Sequence, residues 1–134
     1  MCPDTELFRT VADKDYLDLL VQGEPRVNRV ADFLDLDDKD IANATGVPRA
    51  SVRLLSGKVP EEVVERTRVW AQALNLVAQF FGGDSEKTVQ WFKVTNPLLG
   101  GITPRDMIRL GRFHRLAQFI REALADAHVS GQKT

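Results

Sequence analysis

The sequence predicts an all-α protein, a helix-turn-helix-like core followed by a small C-terminal helical domain. Apolar residues recur at steps of three and four along two long runs, Val63–Phe81 and Phe113–Ala127, which is the spacing of one helix face. Helix start signals stand at Pro60 with Glu61 and Glu62, at Asp84 or Ser85, and at Thr103-Pro104 with Asp106. Gly-Gly and Asn-Pro pairs separate the runs. These signals predict about seven helices. They divide into an N-terminal extension (1–35), a helix-turn-helix region (36–82) and a C-terminal domain (83–134).

Residues 5–22 read as a helix, with Leu7, Phe8, Val11, Leu19 and Leu20 as apolar bulk and Gly23 with Pro25 as its stop. A short helix is expected over Val27–Leu34, where Val27, Val30, Phe33 and Leu34 share a face. Leu36 is framed by Asp32, Asp35, Asp37, Asp38 and Asp40. Capping and first-turn charge account for these acids, and an anionic contact for a basic partner is the alternative. A calcium loop fails on spacing and on its missing central glycine.

From Asp38, DKDIANATGVPRASVRLLSG reads as helix, tight turn, helix. Ala42 is small where two helices cross, and Gly46 can take the left-handed conformation that ends the first. Pro48 starts the second, and Val52 and Leu55 face the core. Arg49, Ala50, Ser51 and Arg53 are then the outward residues of a recognition helix over 49–55, with Lys58 in the loop after it. Arginine can pair with guanine or phosphate, and Ser or Lys with phosphate, so Arg49, Ser51, Arg53 and Lys58 are the expected DNA-binding residues. The helix carries no Asn or Gln to read adenine, and plain solvation of both arginines is the alternative.

Pro60 opens the next helix, with Glu61, Glu62 and Glu65 in its first turns. Its stripe of Val63, Thr67, Trp70, Leu74, Val77 and Phe81 makes Trp70 a core residue and is wide enough to meet a second copy as well. Gly82-Gly83-Asp84 reads as a linker, and Asp84 or Ser85 caps a short helix ending at Trp91 and Phe92. Asn96-Pro97 and Gly100-Gly101 break the chain, and Thr103-Pro104 restarts it with Asp106 in the first turn. After Gly111, Phe113, Leu116, Ala117, Ile120, Ala123, Leu124 and Ala127 fall on one face, with Arg112, Arg115, Gln118, Arg121 and Glu122 away from it.

The net charge of −1 is unevenly spread, −6 over residues 1–40 and +5 over 41–134. That weakens any reading of the whole chain as a nucleic-acid coat and leaves room for a local basic surface. The lone cysteine, Cys2, gives no disulfide framework. No apolar run has the length of a membrane span and no leader pattern is present, so a cytoplasmic protein without membrane contact is expected. His114 and His128 are not spaced as metal ligands, and the glycine pairs lack the lysine of a phosphate loop. No enzyme, metal site or cofactor is expected.

Trp91, Asn96-Pro97, Leu99, Gly100-Gly101, Thr103-Pro104, Met107-Ile108, Gly111 and the Phe113-x-Arg115-Leu116 step carry a resemblance. Over residues 88–127 the chain resembles the C-terminal toxin-binding domain of the Xre/MbcA/ParS antitoxins, and Ala42, Gly46 and Val52 resemble the helix-turn-helix upstream of it. The chain departs from many relatives by running on from Asp126 to Thr134. The resemblance implies an antitoxin that binds a cognate toxin encoded next to it, often a RES-type enzyme consuming NAD. It also implies homodimers, and operator DNA as a further partner. It points to Asn96 in a rigid supporting segment. For toxin contact it points to a face of Arg112, Arg115 and Arg121, and to a tail with His128 and Lys133. A stand-alone helix-turn-helix regulator and a helical adaptor are the alternatives.

Overall fold

The structure, a computed structural model, describes residues 15–54 and 59–132, with side chains through residue 125. Six α-helices make up most of these residues, so the all-α class holds. A two-stranded hairpin, β1 (Leu20–Val21) and β2 (Glu24–Pro25), precedes them.

The expected helix over residues 5–22 is corrected for the part described; residues 5–14 lie outside the described residues. The Asp15 carboxylate accepts the backbone N–H groups of Leu19 at 2.9 Å and Leu20 at 2.8 Å, which pulls the chain into a tight strap. Gln22 and Gly23 both hold positive φ, as a two-residue hairpin loop requires, and β1 pairs with β2 across them.

Helix α1 (Val27–Leu34) matches its expected span and buries Val30, Ala31 and Leu34. Asp37 then caps α2 (Asp38–Thr45): its carboxylate takes the Asp40 N–H at 2.8 Å while the Asp40 carboxylate takes the Asp37 N–H at 3.2 Å. Two members of the acidic cluster therefore serve as a cap. Gly46 closes α2 with φ of 76°, as its sequence position implies.

The recognition helix expected over 49–55 is also corrected. Arg49–Ser51 is a single 3₁₀ turn, and Val52 is already extended. Val52 is buried in the core, and the next link is the Leu54 N–H donated to the Asp38 carboxylate at 3.3 Å. The backbone past the turn is extended at Val52 and tied to the start of α2. Leu55 and Lys58 lie outside the described residues.

Helix α3 (Glu61–Phe80) is the centre of the molecule. It packs against β2, α1 and α2, and also against α4 (Ser85–Lys93) and α6 (Phe113–Gln132). Val63, Thr67, Trp70, Leu74 and Val77 are buried as their spacing predicts. Asn75 is buried too: its Oδ1 accepts the Leu17 N–H at 3.1 Å and its Nδ2 donates to the Asp15 carboxylate at 2.9 Å. Arg68 holds the hairpin from outside, donating to the Gly23 carbonyl and to the Glu24 and Glu65 carboxylates.

Gly82-Gly83-Asp84 is a tight corner. Tyr16 packs close over Gly83, and one buried core runs from Leu17 through α3 to Ile120, across the expected boundary at 82/83. Asp84 caps α4 by accepting the Lys87 N–H, and Thr103 caps α5 (Pro104–Arg109) by accepting the Asp106 N–H. Arg105 on α5 donates to the carbonyls of Leu34 and Asp35 at the C-terminal end of α1, where a cation is favoured.

Burial works against the Asp15 carboxylate, but the Leu19 N–H, the Asn75 amide and the Leu20 N–H outweigh it and hold its pKa below the ordinary value. The folded-state value lies below the unfolded one. The contribution of Asp15 to stability is therefore complete above about pH 4 and is lost as pH falls through the folded value. The urea midpoint should drop over that acidic range, and Asp15→Asn should remove part of the drop. Asn75→Ala strands the buried Leu17 N–H and takes one donor from Asp15. It should cost about 3 kcal/mol in urea unfolding at neutral pH.

Candidate protein-binding surface

Helix α6 starts from a corner set by Gly111, whose φ is 77°. The next residue, Arg112, donates its N–H to the Met107 carbonyl at 2.8 Å. Phe113, Leu116, Ala117 and Ile120 of α6 are buried, as the sequence stripe predicts. The burial then stops while the stripe goes on. Ala123 is exposed and Leu124 is half-buried, and the helix continues to Gln132, about 18 Å past Ile120 at the standard rise.

Where the burial stops, a groove opens. Val77 and Phe80 of α3, Trp91 of α4, and Ile120, Ala123 and Leu124 of α6 enclose about 130 Å³. Val77 and Ile120 are buried and form its floor, while Phe80 is 54% exposed and forms part of its rim. Trp91 is fixed in place by stacking on Phe119, with ring centroids 6.4 Å apart and planes 19° from parallel. All six lining side chains are hydrocarbon or aromatic, so the groove can take up apolar surface but offers little polar chemistry.

The segment after α4 is built by Asn96. Its side chain accepts the Leu98 N–H at 2.9 Å, its own N–H goes to the Ile102 carbonyl at 3.0 Å, and its carbonyl accepts from Leu99 and Gly101. Asn96 thus closes a 3₁₀ turn over Pro97–Leu99 as a short antiparallel bridge to Ile102. Gly100 and Gly101 both hold positive φ in that turn. The turn buries Leu99 and leaves Leu98, 78% exposed, at its crest. Asn96 shapes the support, and its side chain is engaged within its own turn.

Arg112, Arg115 and Arg121 are all exposed, but they do not form the single face expected of them. Arg112 and Arg121 are nine residues apart, about half a turn out of phase at roughly 100° per residue. They lie on opposite sides of the buried stripe, with Arg115 on the side of Arg112. His128 lies on α6 beyond the described side chains, and Lys133 is outside the described residues. His114 is exposed, as expected of a helix-surface residue. Among the proposed DNA contacts, Arg49, Ser51 and Arg53 are exposed on or beside the short turn. Asp37 is held below the usual carboxylate range, chiefly by the Asp40 N–H, and the Arg49 charge adds to this. Arg49 therefore sits in the field of an acidic cap.

No protein-family model matches this chain, and no curated protein or solved structure matches it either. Among the described residues no group of three His, Cys, Asp or Glu side chains could hold a metal ion, and no helix is long and apolar enough to cross a membrane.

Sequence reasoning missed Phe80 and Leu98. Phe80 stands beside Phe81, which the spacing places on the stripe, but at the end of α3 Phe81 is only half-buried and Phe80 is exposed. Leu98 had a usable signal, a large aliphatic residue between Pro97 and a glycine pair, where turn tips are normally polar. Asn96→Ala removes the turn's side-chain acceptor. It should lower stability by about 1 kcal/mol in urea unfolding while leaving the helical circular dichroism unchanged.

Proposed function

We propose that this chain is an antitoxin, neutralising a cognate toxin by direct binding through α6 and the surface beside it. The observation that carries the proposal is the apolar groove beside α6, where exposed Phe80 and Ala123 meet half-buried Trp91 and Leu124. A groove lined wholly by apolar side chains suits the apolar surface of another macromolecule. The resemblance of residues 88–127 to toxin-binding domains gives that macromolecule its class, with a RES-type, NAD-consuming enzyme as the expected toxin. An arginine on each side of the stripe suits a partner with acidic residues at its contact edge.

Operator binding and autorepression belong to the same reading but have less support. A three-residue turn carries Arg49 and Ser51, and among the described residues no α-helix carries them to lie in a major groove. Capture of the toxin therefore stands as the main activity, carried out in the cytoplasm by a homodimer.

The protein encoded next to this chain should arrest growth when expressed alone and be tolerated when both are expressed. The two should also copurify at a fixed stoichiometry. Arrest that persists with both present, with no complex on gel filtration, would remove the antitoxin reading.

A further inference from the structure

We propose that the groove between α3, α4 and α6 seats one large apolar side chain from an acid-flanked amphipathic helix of the partner protein. The inference rests on the antitoxin reading and specifies which part of the toxin is gripped.

Size comes first. The groove encloses about 130 Å³. An apolar cavity of about 150 Å³ holds a benzene molecule, so this one suits a single leucine, methionine or phenylalanine side chain. Its shape points to a helix as the donor. The floor of Val77 and Ile120 is buried, and the opening lies against α6 where exposed Ala123 presents only a methyl group. A small residue there lets a second helix approach closely and lower one anchor into the gap, the helix-in-groove mode. Trp91, already stacked on Phe119, holds its wall before any partner arrives.

Charge then decides between occupants. Arg121 stands one turn from Leu124, and Arg115 stands one turn from Phe119, which backs Trp91. Among the described residues neither arginine is in an ion pair. Residues 84–122 carry seven Lys and Arg against four Asp and Glu. A second copy docking through this same face would bring like charges together, whereas a helix with Asp or Glu beside its anchor would be attracted to Arg121.

The test uses the full chain and the protein encoded next to it, titrated calorimetrically. Three variants are compared: Ala123→Arg, Phe80→Ser and Arg121→Glu. Ala123 and Phe80 are both exposed, so thermal unfolding should be nearly unchanged in their variants. Ala123→Arg fills the groove and Phe80→Ser removes its rim, and each should weaken binding about 30-fold, the loss typical of a buried anchor. Arg121→Glu should weaken binding about 10-fold at low salt and flatten its salt dependence.

If the wild-type complex forms and both groove variants, still folded, bind within about three-fold of it, the groove is idle and the antitoxin reading survives without it. If no variant and no wild type forms a complex, both readings fall together. If the chain alone sediments as a dimer that Ala123→Arg dissociates, the occupant is a second copy and the proposal is overturned.

Discussion

The structure depends on α3 being surrounded. Residues 73 to 78, from Ala73 to Ala78, are buried in unbroken succession, which a helix lying on a surface cannot achieve because one side always faces water. Ala71, Ala73 and Ala78 keep that helix slim enough for neighbours to close in on several sides. Enclosure has a chemical consequence at Asn75. An amide buried without partners is costly, so the chain must bring it an acceptor for its N–H and a donor for its carbonyl. The Asp15–Leu20 strap supplies both, and the same carboxylate that receives the amide bends the strap toward the hairpin. One buried polar side chain thus explains why residues 15–20 form a strap and not a helix.

That dependence also marks the limit of what the sequence made legible. Several helix ends whose caps lie within a few residues could be read: Thr103 before α5, Asp84 before α4, Gly46 after α2, and a capping role for the acids around Leu36. These interactions are local, and the residues that make them are neighbours in the chain. The links that could not be read join distant positions. Asn75 meets Asp15 60 residues away, and Arg105 meets Leu34 71 residues away. Residues 49 to 54 have nothing against helix except one β-branched residue, yet a single 3₁₀ turn gives way to extended backbone at Val52, where Val52 enters the core and Leu54 is tied to Asp38. Tertiary attachment overrode local preference there. The glycine pair at 82–83 is a related case, since a sequence reads the same for an open linker and for a sharp corner closed by packing.

On the candidate surface, the α6 stripe was legible as a helix face, but the extent of its burial was not, because that depends on where α3 ends. The resemblance groups three arginines as one face, and each of them does lie off the stripe. The polar side of a half-buried helix spans more than half its circumference, however, so residues that all avoid the core can still point in opposite directions. Arg112 and Arg121 do so. Two basic flanks bordering an apolar strip form a different recognition element from a single basic patch. Their charges act at the edges of a contact whose middle is apolar, the usual arrangement of an apolar centre with a polar rim.

The groove follows from a difference in length between two helices that share a core. α3 stops at Phe80, where the glycine corner turns the chain into α4, and α6 passes that point with its stripe still apolar at Ala123, Leu124 and Ala127. A helix end meant only for water has no use for a continued stripe, and isolated surface apolar residues would not converge. Here three elements each bring a side chain to one place: Phe80 from α3, Trp91 from α4 and Leu124 from α6. Trp91 is already stacked on Phe119 and the floor belongs to the folded core, so a partner would find the walls in position and lose little affinity to ordering them. The binding energy of such a site would sit in one well-surrounded anchor, with the arginines on either flank selecting which helix may present it.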